Sequence, residues 1–225
     1  MRPDFGILTT MVFSQQPPFL FVHIDKAAGS SIAVALQPSE ARRRNTRWRR
    51  RLMWLGPLNR LGFYRALEFP AHAYASSAKR CLPPEVYKGL FKFAFVRNPW
   101  DRLVSRYAYL LKVEDHRRHK FVQRMKNFDE YVAWEIRRAK FFQYTYVTGS
   151  NGKLIVDFIG HYERLQEDFA KVCASLKVQA ELPRINTSSH RDYRSYYSPE
   201  TRKRVGDYFQ RDCELFGYDF DGLRE

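Results

Sequence analysis

Twice in this chain a short apolar run that reads as a buried strand leads through a turn into a helix, and that repeated order limits the fold more than any other feature. The first copy is Phe19-Leu20-Phe21-Val22-His23-Ile24, followed by a Gly/Ser loop and the apolar run Ile32 to Leu36. The second is Phe91-Lys92-Phe93-Ala94-Phe95-Val96, after which Asn98 can cap a helix that has Pro99 at its first position and Asp101 in its first turn. Trp100, Leu103, Val104, Tyr107 and Leu111 then share one helical face. Two strand-to-helix units predict an α/β fold with a central, mainly parallel sheet flanked by helices. A chain of 225 residues, 44% hydrophobic and 16% aromatic, has the size and apolar content of one globular domain over 1–225, with 1–18 as a flexible start.

Between the two units, Arg42 to Arg65 carries nine arginines among Trp48, Leu52, Trp54, Leu55 and Leu58, so 40–65 reads as a basic insertion, partly helical. A solvated helix is its plain reading; a surface for an acceptor or for peripheral membrane contact is the alternative. Further on, helical spacing runs from Phe121 to Arg138, and Gly149-Ser150-Asn151-Gly152 reads as a hairpin turn between Tyr144–Val147 and Leu154–Val156. Glu163 to Lys177 places Leu165, Phe169, Val172, Cys173 and Leu176 on one face, with Cys173 as core filling. A last helix opens at Ser198-Pro199-Glu200 and stops near Gly217.

Lys and Arg outnumber Asp and Glu by 39 to 24, a formal charge of +15, which points to an anionic ligand, polymer or surface. Three scattered cysteines, Cys81, Cys173 and Cys213, make neither a disulfide framework nor a zinc cluster and fit a reducing compartment. The apolar stretch Phe19 to Ile24 is far short of the roughly 20 residues of a membrane span, and 1–18 lack the pattern of a secretory signal. The expectation is a cytoplasmic protein with no transmembrane segment.

The segment His23-Ile24-Asp25-Lys26-Ala27-Ala28-Gly29-Ser30-Ser31-Ile32 delivers a lysine, a glycine and two hydroxyls to a helix start. Backbone N–H groups there point at an anion, Gly29 allows close approach, Ser30 and Ser31 add donors, and Lys26 adds a full charge. A nucleotide-triphosphate loop places its lysine after the second glycine, beside a hydroxyl that holds magnesium. Here the lysine comes first. That order resembles the 5′-phosphosulfate loop of sulfotransferases, His-Ile-Pro-Lys-Thr-Gly/Ala-Gly-Thr-Ser in the carbohydrate-modifying branch.

Phe93 to Ser105, with Arg97-Asn98-Pro99-Trp100-Asp101-Arg102-Leu103-Val104-Ser105 at its centre, resembles the same family's 3′-phosphate motif, Arg-Asn-Pro-Tyr/Phe-Asp-Arg-Leu-x-Ser. The planar fork of Arg97 suits phosphate oxygens, and Ser105 lies off the Leu103/Tyr107 face. The alternative reading of Arg97 and Asp101 is a mutual salt bridge around the helix cap. Similarity continues through Val156 to Phe169, with Phe158-Ile159-Gly160-His161-Tyr162-Glu163 inside it, Asp192 to Tyr197, and Glu214 to Tyr218. Departures are Asp25 for proline, Ala27 for threonine and His161 for arginine; the hydroxyl absent at Ala27 removes one donor.

The resemblance implies a P-loop-like sulfotransferase fold and a donor substrate, 3′-phosphoadenosine 5′-phosphosulfate (PAPS), used without a metal. It implies that Lys26 meets the leaving bridging oxygen, that Ala28, Gly29, Ser30 and Ser31 complete the phosphosulfate loop, and that Arg97 and Ser105 bind the 3′-phosphate. A carbohydrate hydroxyl, on a polysaccharide or glycolipid that can be acidic, is the implied acceptor. The general-base candidate is His72, in Pro70-Ala71-His72-Ala73-Tyr74-Ala75, because imidazole titrates near neutrality. His23 ranks next and His161 below it; solvent exposure accounts for His116, His119 and His190. The run Arg191 to Tyr197 reads equally as a ligand lining or a packed loop. Two rivals stand beside this: a nucleotide-dependent kinase, which lacks the Walker order, and a non-catalytic polyanion-binding module, for which no nucleic-acid-reading motif speaks. A Golgi-lumen location is the alternative for a truncated eukaryotic enzyme.

Overall fold

The computed structural model describes residues 11–36, 69–70, 72–183 and 191–224. The basic insertion at 40–65, the expected flexible start up to residue 10, and His190 lie outside the described residues. In chain order the elements are β1 (Val12–Gln15), β2 (Pro18–Val22), α1 (Gly29–Leu36), α2 (Ala75–Cys81), α3 (Pro84–Gly89), β3 (Phe91–Val96), α4 (Pro99–Lys112), α5 (His119–Gln123), α6 (Phe128–Arg137), α7 (Tyr144–Val147), β4 (Phe158–His161), α8 (Leu165–Leu176), α9 (Pro199–Tyr208) and α10 (Gln210–Phe216). A short hairpin, β5 (Tyr218–Asp219) with β6 (Gly222–Leu223), follows. None of the described helices is long and apolar enough to cross a membrane.

The chain forms two compact units, one of residues 1–96 with 145–185 and one of residues 97–144 with 186–225. The first holds a four-stranded sheet in the order β1-β2-β3-β4. β1 pairs antiparallel with β2, while β2–β3 and β3–β4 are parallel, the α/β arrangement expected from the repeated strand-to-helix order. Period-2 alternation puts Phe19, Phe21, Phe93 and Phe95 on one sheet face, where they pack with Ile32 and Ala33 of α1 and Phe169, Val172 and Leu176 of α8. Each buried aromatic or aliphatic side chain there contributes about 1.5–3 kcal/mol. The other face of β2 and β3 is buried too, which is why both strands read as near-continuous apolar runs. Its one charged member, Lys92, donates to the Leu90 carbonyl at 2.6 Å and pairs with Asp157 at 2.8 Å. Gly160 of β4 lies so close to the Phe95 ring that an added Cβ would sit 2.5 Å from it. Cys173, expected in the core, is half-buried at its edge.

In the second unit α4 starts as expected: Asn98 accepts from the amides of Trp100 (3.0 Å) and Asp101 (3.5 Å), with Pro99 at the first position. Its buried face differs at the far end. Leu110 is buried and Leu111 is 37% exposed, because Leu110 lies seven residues, about two turns, beyond Leu103 and returns to its azimuth, whereas Leu111 is turned about 100° further. The helical run expected from Phe121 to Arg138 is two helices, α5 and α6. Asn127 ends the continuity by accepting from the Glu130 amide at 3.0 Å, while the Glu130 carboxylate accepts from the Lys126 amide at 2.8 Å, a reciprocal cap that restarts the helix. The last helix is likewise two, α9 and α10, meeting at Phe209; Ser198 caps α9 by accepting from Thr201 at 3.1 Å, and Gly217 ends α10 at φ 71°.

Tyr144–Val147 is a helical turn, not a hairpin strand, and the expected pairing across Gly149–Gly152 shrinks to a single bridge between Thr148 and Leu154. The cause is the Asp212 carboxylate, which accepts from the amides of Gln143 (2.9 Å) and Tyr144 (2.8 Å) and so satisfies the first donors of that turn.

Candidate functional site

The first unit carries the Lys26 loop. β2 ends at Val22, and the chain turns back at once, with the Ala27 amide donating to the Ile24 carbonyl at 3.4 Å before α1 opens at Gly29. Lys26 (φ 67°) and Ala28 (φ 61°) are both left-handed, a conformation that costs a non-glycine residue about 1–2 kcal/mol each. Strain of this kind persists only where surroundings enforce it. Ser30 and Ser31 lie in the first turn of α1, Ser31 buried and Ser30 half-buried, and Lys26 is half-buried. Ala27 is buried at 1%, so the position at which the family carries threonine faces inward here.

His23 sits beneath this loop. Its ring is buried, stacks on Phe21 at 6.0 Å, and lies where a Cβ on Gly29 would come within 1.9 Å of it. Burial, then the like charge that His72 would carry, pull the His23 pKa from 6.5 to about 3 against the opposing pull of Asp25, and the ring is neutral at any ordinary pH. That removes His23 as a base working near neutrality. Its Nδ1 has no hydrogen-bond partner among the described residues.

His72, 49 residues away in sequence, is brought to the same place: its Nδ1 lies 3.1 Å from the His23 carbonyl, and the two rings are 4.8 Å apart. A carbonyl can only accept, so Nδ1 carries a proton, and in the neutral ring Nε2 then bears the lone pair. His72 is half-buried and also left-handed, at φ 58°.

The second unit carries the Arg97 motif. The amide of Arg97 donates to the Gln143 side-chain oxygen at 2.9 Å, and the Gln143 amide group returns a donor to the Arg97 carbonyl at 2.8 Å. Gln143 and Asp212 are both fully buried, so a carboxylate, a carboxamide and the Arg97 backbone form one chain of hydrogen bonds. The Asn98 side chain adds a donor to the Asp219 carbonyl at 2.7 Å. Burial pushes Asp212 up to about 6, against the amides of Gln143 and Tyr144 and the charge of Arg102. The Arg97 guanidinium is 4% exposed, and its Nε donates to Asp101 at 2.7 Å. The cap salt bridge is present, made through Nε. Ser105 is buried.

The other histidine candidates make packing contacts. His161 donates its amide to Asp168 at 2.8 Å; burial raises that carboxyl, but the His161 amide and the Lys171 ammonium outweigh it and hold Asp168 below its usual range. His119, expected in solvent, is buried with Nδ1 3.0 Å from the Leu110 carbonyl, because α5 folds back along α4. His116 accepts from the Arg118 amide at 3.1 Å. In the run from Arg191 to Tyr197, Tyr197 donates to the Trp100 carbonyl at 2.9 Å and Arg194 pairs with Asp192 and Asp221, while Arg194 and Tyr197 also line a cavity of about 500 Å³ with Trp100, Arg202 and Phe220, so both readings of this run stand.

Sequence reasoning missed Gln143 and Asp212, whose partners lie 46 and 69 residues away, and no local pattern marks them. It also missed the fit of His23 against Gly29, for which the strand-end histidine six residues before a glycine was the signal.

The Sulfotransferase family model matches residues 9–219, through both units. An uncharacterized protein of Archaeoglobus fulgidus is 39% identical over 111 residues, 49% of this chain and 88% of that protein. A match over nearly the whole chain, together with the lysine-first loop, identifies this protein as a member of the sulfotransferase family and a PAPS-dependent transferase.

Proposed function

We propose that the protein transfers the sulfuryl group of PAPS to a carbohydrate hydroxyl, on a polysaccharide or glycolipid and with an acidic sugar among the acceptors the +15 charge favours. The observation that carries this reading is the loop from Lys26 to Ser31, held left-handed at two non-glycine residues and running into a helix N-terminus beside His72. Lys26 meets the bridging oxygen between sulfur and the 5′-phosphate. The amides of Ala28, Gly29, Ser30 and Ser31, with the two serine hydroxyls, hold the phosphosulfate. Arg97 and Ser105 take the 3′-phosphate.

The acceptor oxygen attacks sulfur in line, the bond from sulfur to the bridging oxygen breaks, and the acceptor's proton passes to Nε2 of His72. Adenosine 3′,5′-bisphosphate leaves, its new negative charge met by the Lys26 ammonium. The Nδ1–H tautomer enforced by the His23 carbonyl is the one that leaves Nε2 able to accept. His72→Asn should lower kcat by about 10²–10⁴-fold with donor affinity retained; unchanged kcat transfers the base role to another group. A cytoplasmic location belongs to this reading, supported by three free thiols, Cys81, Cys173 and Cys213.

Calorimetric titration with adenosine 3′,5′-bisphosphate, against adenosine 5′-monophosphate and ATP with magnesium, tests the donor assignment. Binding that requires the 3′-phosphate and weakens at least about tenfold in Arg97→Ala supports it, that factor corresponding to about 1.4 kcal/mol. Equal binding of all three ligands, falling steeply with salt, gives the polyanion-binding reading instead.

A further inference from the structure

Three non-glycine residues near His23 are left-handed: Lys26 and Ala28 in the loop that leads to Gly29, and His72, whose ring lies 4.8 Å from that of His23. His23 lies between the end of β2 and the loop, and Gly29 has no room for a Cβ because the His23 ring occupies it, at 1.9 Å from Cδ2 and 2.1 Å from Nε2. On its other side the ring is backed by Phe21, and its own carbonyl receives His72 Nδ1.

We infer that His23 is a positioning residue: its neutral ring is the wedge that fixes the backbone of the Lys26–Ser31 loop, and its carbonyl fixes the tautomer of His72. It touches neither donor nor acceptor and acts through Gly29 and His72. The wedge holds Ala28 and Gly29 at the point where α1 opens. Ring shape is what the loop requires, so phenylalanine should replace His23 while alanine should not. The carbonyl contact belongs to the backbone, so it survives His23→Phe, where a ring still keeps β2 and the loop in register, and loosens in His23→Ala. This inference rests on the donor-binding reading for its consequence, but the wedge itself is readable without any ligand.

The experiment is a double-mutant cycle on His23→Ala and Gly29→Ala, with His23→Phe as the conservative variant, read by amide hydrogen exchange and by calorimetry with adenosine 3′,5′-bisphosphate. His23→Ala should speed exchange of the amides at 27–32 at least about tenfold while β3 is unchanged, and weaken nucleotide binding by a similar factor. Gly29→Ala alone should be worse, because its methyl meets the ring, and His23→Ala/Gly29→Ala should recover most of that loss, since the ring the methyl strikes is gone. His23→Phe should keep slow exchange and binding within about threefold of wild type. Additive losses in the double variant, or loop exchange unaffected by His23→Ala, would overturn the wedge. If the wild-type protein shows no preference for the 3′-phosphate, the donor reading fails by itself and the exchange cycle still decides the wedge; if a variant does not fold, thermal unfolding of the double variant against Gly29→Ala carries the same comparison.

Discussion

Lys26→Ala should cost about 10²–10³-fold in kcat, the range seen when one group aimed at developing negative charge is removed from a protected site. The bridging oxygen gains charge only as the bond to sulfur breaks, so the loss falls on kcat more than on KM for the donor. The fold should tolerate the change. Lys26 is half-buried, and alanine suffers the same left-handed penalty, so the thermal midpoint should move by less than about 4 °C. Lys26→Arg, which restores charge with a different reach, should recover part of the rate. Turnover near wild type in Lys26→Ala would remove this residue from the chemistry.

The second large effect concerns stability. Asp212→Ala takes away a fully buried carboxylate that caps two amides, steadies Gln143 and through it the Arg97 backbone, and offsets the charge of the fully buried Arg102. Breaking such an arrangement at one end costs about 3–5 kcal/mol, so chemical denaturation should show a drop of that size, with nucleotide binding weakened alongside. Asp212→Asn keeps one acceptor and isolates the titration. The folded-state pKa of Asp212, about 6, lies above the ordinary 3.8, so between these values the folded protein holds a proton the unfolded chain has released, and the stability contributed by this group falls as pH rises from about 4 to 6. His23 acts in the opposite sense: its folded-state pKa of about 3 lies below 6.5, the unfolded chain holds the extra proton, and stability rises with pH over the same window. The two slopes, each about 1.4 kcal/mol per pH unit at most, offset one another in the wild type. Relative to wild type, Asp212→Asn should gain stability as pH rises from 4 to 6 and His23→Phe should lose it. Parallel curves for all three proteins would show that neither group titrates as its burial implies.

What could be read from sequence was whatever is local. The strands at Phe19 and Phe91, the Asn98 and Ser198 caps and the lysine-first loop each depend on a handful of adjacent residues, and each is present. The errors share a cause as well. The division of α5 from α6 turns on the Asn127–Glu130 cap, a local signal outweighed by apolar spacing that ran across it. The helical turn at Tyr144 depends on a carboxylate 68 residues later, and the grip on Arg97 on a carboxamide 46 residues later. A side chain's distant partner leaves no periodicity and no composition shift. His72 lay between the two: imidazole chemistry nominated it, while its tautomer followed only from the His23 carbonyl.

β3 pairs on one side with β2 and on the other with β4, and about 60 residues separate Val96 from Phe158. During synthesis at about 5–20 residues per second, that interval leaves Phe91 to Val96 without its second neighbour for about 3–12 s. Through those seconds an apolar strand offers a row of open amides and carbonyls to any other nascent chain, a template for wrong pairing that closes only when Phe158–His161 arrives. Yield in a cell should therefore depend on what shields this one strand on the ribosome, and slowing translation after Val96 should favour aggregation over folded protein.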